Sequence, residues 1–357
     1  MEDRGLDTGS GNLYVHFPFC RRKCAYCALY SRAGVAPTDR DAYAGRLAAE
    51  IAGGESGGVG TLATVYFGGG SPALCGLEPV FAALRPRLRT STEFTVELHP
   101  ADVTAELLGA LRAGGVNRIS MGVQSFDDAT LAAMGRGYTV DAALHAFESV
   151  KRVFDNAGID LIVGFPGDPG PLRSIGTLRR FTDLGMRHCS VYALQNERGL
   201  NGVPDDDVVL DEIRDFAAAL KDSGLERYEI SNYAAPGFEC RHNLAVWRGE
   251  DYVGIGEGAC GRVGRTRTRG LRGGGYATET LAAAEDLKER TIFRLRTRDG
   301  LDTARFPEWR PALERFTADG LLTRVADASD SLAADGRVYR LTPRGAEVCD
   351  AILAEIV

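Results

Sequence analysis

Leu13-Tyr-Val-His-Phe-Pro-Phe-Cys20-Arg-Arg-Lys-Cys24-Ala-Tyr-Cys27 places three cysteines within eight positions, spaced by three residues and then by two. Three thiolates at that spacing surround one metal centre only if the backbone between them loops back on itself. Cysteine is the usual ligand of iron-sulfur clusters, which take about one thiolate per iron. No fourth cysteine lies nearby, so a 4Fe-4S cluster held by Cys20, Cys24 and Cys27 keeps one iron open to another ligand. Two other readings stay open on spacing alone. A zinc site wants four ligands, commonly two separated cysteine pairs, and no second Cys-x-x-Cys occurs, although His16 can complete a tetrahedron. The three thiols can also be buried side chains that cluster by chance.

Outward from this stretch, the chain of 357 residues has room for one large domain and a small appendage, with the apolar and charged fractions of a globular protein. A net charge of -7 with interspersed signs argues against a nucleic-acid partner, which calls for a basic face. No run of apolar residues is long enough to span a membrane, and residues 1–11 lack the apolar core of a secretory signal. Eight cysteines, clustered rather than paired, fit a reducing cytoplasm.

Short apolar runs alternate with amphipathic ones. Strands are expected at 13–17, 63–67, 93–98, 117–123, 159–163, 189–194 and 227–230. Helices are expected at 41–52, 79–88, 105–113, 129–134, 140–156, 174–184 and 208–223. Such alternation implies βαβ units and a parallel α/β sheet that closes, or partly closes, into a barrel. The cysteine loop follows the first strand, Gly68-Gly-Gly-Ser-Pro72 the second, Glu97 ends the third and Gln124 the fourth. All four lie at carboxyl ends, the face that carries the site of a parallel barrel. The glycine run has neither the Lys-Ser/Thr pair of a P-loop nor the spacing of a dinucleotide fingerprint.

Together with the cysteine stretch, Val65-Tyr-Phe-Gly-Gly-Gly-Ser-Pro72, Asn117-Arg-Ile-Ser-Met-Gly-Val-Gln-Ser-Phe126, Asp160-Leu-Ile-Val-Gly-Phe-Pro166 and Tyr228-Glu-Ile-Ser-Asn-Tyr-Ala234 resemble the radical S-adenosylmethionine (SAM) superfamily. The likeness is to the branch of oxygen-independent coproporphyrinogen III oxidase and its haem-chaperone relatives. It implies a partial (β/α)6 TIM-like barrel and a 4Fe-4S cluster whose open iron is chelated by SAM, which is cleaved reductively by an electron from a flavodoxin or ferredoxin. By match to the pattern, Gly68, Gly69, Gly70 and Ser71 contact the methionine end of SAM. Glu97, Gln124, Arg136 and Asp160 hold its polar groups, and Tyr14 flanks it.

Two departures from the oxidase pattern favour the haem-chaperone group: Cys27 is followed by Ala28-Leu29 rather than by another cysteine, and only a short tail precedes the motif. Cys240-Arg-His-Asn-Leu-Ala-Val-Trp247 matches that group's Cys-x-His-Asn-x-x-Tyr-Trp apart from Val246, and Cys260 stands where the group commonly shows histidine. Imidazole and thiolate both ligate haem iron, so His242, Cys240 and Cys260 are the haem candidates. The alternative is a radical enzyme acting on a porphyrinogen or another small molecule. Expected partners are SAM, haem or a porphyrin, a reductant and a haem-acceptor protein, with the chain a monomer or homodimer.

The organisation expected is a flexible tail over 1–12, the barrel over 13–235, a connecting segment with the Cys-x-His-Asn motif over 236–280, and a winged-helix-like α+β cap over 281–357. The cap should hold helices at 282–296 and 309–319, a hairpin of 321–325 and 338–341, and a last helix at 344–356.

Overall fold

The computed structural model describes residues 10–53, 60–325 and 338–356. Six parallel strands stand side by side in chain order: β1 (Ser10–Phe17), β2 (Thr61–Gly69), β3 (Glu93–Leu98), β4 (Arg118–Gln124), β5 (Asn156–Val163) and β6 (His188–Ala193). The helices between and after them are α1 (Pro37–Ala52), α2 (Glu78–Leu84), α3 (Ala105–Ala113), α4 (Asp128–Met134), α5 (Val140–Lys151), α6 (Pro171–Asp183) and α7 (Asp206–Asp222). This is the α/β, partial (β/α)6 architecture. The sheet stays open because β1 and β6 pair with other strands rather than with each other.

Side-chain alternation in β1 explains the layering. Leu13, Val15 and Phe17 are buried and share one apolar core with Tyr43, Leu47 and Ile51 of α1. Asn12, Tyr14 and His16 point to the other side. There the sheet register sets Tyr14 beside Tyr66, Tyr66 beside Thr95, and Thr95 beside Arg118, while Glu97 lies beside Ser120 and Asp160 beside Ser190. A closed barrel fills its interior with branched apolar side chains. Here the inner face is polar, so it lines a chamber.

Several boundaries differ from expectation. Of the expected tail, residues 1–9 lie outside the described residues, while Ser10–Asn12 already belong to β1. Asn12 is buried, donating to Asp251 O at 3.0 Å and accepting from Thr64 Oγ1 at 2.9 Å. Helix α5 stops at Lys151, and β5 begins at Asn156, because Asn156-Ala-Gly158 pairs with Arg118-Ile-Ser120 despite weak strand propensity. Helix α2 gives way at Leu84 to a 3-10 turn around Pro86, whose missing N–H ends the α pattern. The strand expected at 227–230 is two short pieces, β7 (Glu226–Arg227) and β8 (Asn232–Ala234), with β8 antiparallel to β6.

The stretch 236–280 is more than a connection. After α8 (Arg241–Trp247) it supplies β9 (Tyr252–Ile255), β10 (Cys260–Val263), β11 (Thr266–Gly270) and β12 (Tyr276–Thr280). Strand β9 runs parallel to β1, and the other three extend the same sheet as an antiparallel meander.

Beyond it, α9 (Ala283–Leu295) and α10 (Arg310–Ala318) surround a small antiparallel sheet of β13 (Leu301–Asp302), β14 (Leu322–Val325) and β15 (Val338–Leu341). The expected last helix is two, Pro343–Glu347 and Cys349–Ile356, because Val348 (φ -113, ψ 25) leaves the helical region. This unit has its own apolar core of Leu295, Leu301, Leu313, Phe316, Tyr339 and Ile352. Arg214 of α7 grips Glu347 at 2.8 and 2.7 Å, joining it to the barrel. Among the described residues no helix is long and apolar enough to cross a membrane.

Candidate functional site

The cysteine loop is held in place by the glycine loop beside it. Gly70 N donates to Phe17 O and Ser71 N to Phe19 O, both at 2.7 Å. The loop then turns back: Cys27 N bonds Cys24 O, Ala25 N bonds Met134 O, and Phe19–Cys20 pairs with Arg32–Ala33. A Cβ on Gly70 would fall 2.4 Å from Phe19 O and 2.8 Å from Phe17 O, so only glycine permits this approach. Gly69 has φ of +102°, and a Cβ there would meet the His16 ring at 2.4 Å. Gly68 leaves room for the Glu97 carboxyl, 3.0 Å from where its Cβ would stand.

Cys20, Cys24 and Cys27 are half-buried free thiols on the wall of a cavity of about 940 Å³ at the carboxyl ends of the strands. His16 does not join them. Its Nδ1 lies 2.9 Å from Tyr14 Oη and its Nε2 3.0 Å from Tyr30 O, which occupies both ring nitrogens. Among the described residues no three His, Cys, Asp or Glu side chains gather closely enough to hold one metal ion. With both His16 nitrogens engaged elsewhere, the three thiols on this wall supply three ligands and leave the next position of a metal centre to another group.

The same cavity is lined by Gly69, Gly70, Ser71, Glu97, Gln124, Arg136 and Asp160. Glu97 accepts from Tyr66 Oη at 2.9 Å and from Gly69 N at 3.2 Å. Burial, aided by the nearby Asp160 charge, pushes its pKa up to about 7. Asp160 accepts from Ser120 Oγ at 3.0 Å, and burial raises its pKa too. Arg136 follows the left-handed cap of α4 at Gly135. It donates to Gly122 O at 2.5 Å, to Tyr138 Oη at 3.0 Å and to Cys24 Sγ at 3.5 Å. Gln124 is the one non-glycine residue with positive φ, 74°, among those described. Such strain costs about 1–3 kcal/mol and concentrates at ligand sites. Ser71 donates to Asp102 at 2.5 Å, and Arg21 holds the same carboxylate at 2.6 Å.

Tyr14 and Gly68 stand behind this wall. The Tyr14 ring lies 6.1 Å from that of Tyr66, and Tyr66 is the one that reaches the cavity. The three haem candidates differ in their surroundings. Cys240 is fully buried ahead of α8, 3.7 Å from Glu93 Oε1, and burial pushes its thiol up to about 12. His242 is buried with Nδ1 2.7 Å from Thr64 Oγ1, and burial lowers its pKa to about 3. Cys260 alone is exposed, on β10 opposite Arg269. The sequence reading passed over Tyr66, Arg118, Ser120, His188 and Ser190, all on the cavity wall. Arg118 and Ser120 on β4, and His188 and Ser190 on β6, alternate with buried apolar neighbours, but only the register shows that they share the face of Glu97 and Asp160.

Residues 14–170 match the Radical SAM superfamily. The chain is 33% identical to the "Heme chaperone HemW" of Mycobacterium tuberculosis across 97% of this chain and 94% of that protein. It is also 33% identical to the protein of that name from Escherichia coli, across 88% and 92%. The solved structure of coproporphyrinogen III oxidase (HemN) from Escherichia coli superposes with a TM-score of 0.79 at 21% identity, covering 97% of this chain and 89% of that one. The superfamily carries a 4Fe-4S cluster and SAM, and the thiols and carboxylates described suit both. Motif, fold and full-length kinship agree: the chain belongs to the radical SAM superfamily, in the coproporphyrinogen III oxidase-like branch that includes these HemW relatives.

Proposed function

We propose that this protein is a haem chaperone, binding haem and passing it to an acceptor protein in the cytoplasm, with a 4Fe-4S cluster on Cys20, Cys24 and Cys27 and SAM in the adjoining chamber. The observation that carries the haem role is the relatedness to curated haem chaperones over nearly the whole length of both chains. Cys20, Cys24 and Cys27 would hold the cluster, which would supply the one-electron chemistry for reductive cleavage of SAM. The chain's own part is to hold and shield. Arg136, a planar fork of donors, suits the SAM carboxylate. Glu97 and Asp160 suit its hydroxyl or ammonium groups, and Gly69, Gly70 and Ser71 bring backbone close to its methionine end.

For haem, the exposed Cys260 is the candidate that needs no rearrangement, whereas Cys240 and His242 require α8 to move. The electron donor is a flavodoxin- or ferredoxin-like carrier. A radical enzyme acting on a porphyrinogen is the second reading, supported by the shared fold. One anaerobically reconstituted preparation separates the two. Stoichiometric haem binding with coproporphyrinogen left unchanged supports the chaperone; a decarboxylated product with no haem binding overturns it.

A further inference from the structure

After Cys27 the cysteine loop returns past its own beginning. Arg32 N donates to Pro18 O at 2.6 Å, and Arg32–Ala33 pairs with Phe19–Cys20, so the place of Cys20 depends on where this return limb, residues 28–33, is held. A large share of the holding comes from far along the chain. Glu257, 6% exposed in the turn between β9 and β10, accepts from Tyr30 Oη at 3.0 Å and pairs with Arg32 at 3.2 Å. Gly273 N donates to its other oxygen at 3.3 Å.

The backbone of the same turn presses on the loop as well. Glu257 N donates to Tyr43 Oη at 2.9 Å, and that hydroxyl donates to His16 O at 3.0 Å. Gly256 and Gly258 both have positive φ. A Cβ on Gly256 would fall 2.5 Å from Tyr43 Oη and 2.8 Å from His16 O, and one on Gly258 2.7 Å from the Tyr30 ring. Glycine on both sides thus lets the turn seat against the loop and aim the carboxylate between them at Tyr30 and Arg32. A buried carboxylate needs a charge partner and hydrogen bonds, and this one draws them from the limb behind the cysteines.

We propose that Glu257 is the positioning residue of the cysteine loop: through Tyr30 and Arg32 it fixes the return limb against Phe19–Cys20, and so fixes Cys20 among the three thiols. The sheet extension that carries the exposed Cys260 therefore meets the cysteine loop at this side chain. Only the spectroscopic consequence rests on the cluster reading given above.

The test follows amide hydrogen exchange in the cofactor-free, full-length chain. Residues 28–33 should exchange about tenfold faster in Glu257→Ala, as for loss of a charged hydrogen bond that opposes local opening. Glu257→Gln keeps an acceptor for Tyr30 and should change them less, while amides of β3 to β5 should stay as in the wild type. Adding Tyr30→Phe to Glu257→Ala should bring little further change, because the two remove one shared contact. After anaerobic reconstitution, the spin-resonance line shape of the reduced protein should be altered in Glu257→Ala and restored in Glu257→Gln. Unchanged exchange over 28–33, acceleration spread equally through β3 to β5, additive substitutions, or a wild-type line shape in Glu257→Ala overturns the assignment. If the limb responds as expected but the wild type takes up no iron, the cluster reading falls and the hold of Glu257 on the loop stands. If the wild type holds a cluster while exchange is unmoved by Glu257→Ala, the reverse follows.

Discussion

Glu97 carries opposed costs for folding and binding. Its carboxyl rises from an ordinary 4.5 to about 7 because burial penalises the charged form. A raised acid pKa means that the folded chain holds the proton more tightly than the unfolded one. The penalty is absent below 4.5, grows as pH climbs toward 7, and is complete above it, at about 3 kcal/mol. Glu97→Gln should therefore raise the melting temperature of the cofactor-free chain at about pH 8 and leave it unchanged near pH 4, by differential scanning calorimetry. In the proposed SAM site the same substitution would remove an acceptor. Wild-type SAM affinity, measured by calorimetric titration, should fall up to about tenfold from pH 8 to pH 6 as Glu97 protonates, and the variant should show a flat, weaker profile. Residues of unusual type at strand ends, Glu97, Gln124 and the cysteines, were legible in the sequence. Arg118 and His188 were not, because a polar residue inside a strand acquires meaning only when the register shows which others share its face.

At the scale of elements, the glycine loop reads differently in three dimensions. A run of glycines after a strand signals close approach of backbone, and the sequence directed that approach toward SAM. In the fold, Gly70 lines the cavity and also approaches the chain itself: with Ser71 it docks the end of β2 onto the cysteine loop through Phe17 O and Phe19 O. Gly70→Ala should thus loosen the loop, lowering iron per chain after reconstitution by more than half and stability by about 1–3 kcal/mol, as overpacking does. Iron assay and urea titration check it; full iron content would show the loop tolerates the methyl group. Most strands and helices were readable from periodicity. Boundaries such as Asn156–Gly158 were not, because pairing with β4 overrides their local preference.

At the scale of the molecule, the part least visible in the sequence is the sheet extension of β9 to β12. Within its arginine-rich run at 262–272, Arg262 is 2% exposed and paired with Asp286 and with Glu289, the latter at 2.9 Å. Those contacts lock the extension to α9. Arg262→Met takes one partner from each of two partly buried carboxylates, which keep Arg290 and Arg267, and should cost about 1.5–3 kcal/mol in urea unfolding; a loss under 0.5 kcal/mol would show that the network is dispensable. Neither the parity of β9 nor its parallel pairing with β1 follows from local pattern, since its strand partner lies at the other end of the chain.

The most direct test of the whole account is iron and sulfide content, with the spin-resonance signal of the reduced protein, after anaerobic reconstitution with and without SAM. The account predicts about four irons per chain, a signal that SAM perturbs through the open iron, and loss of both when Cys20, Cys24 and Cys27 are all replaced by alanine. Iron that survives the triple replacement, or a signal indifferent to SAM, would contradict it.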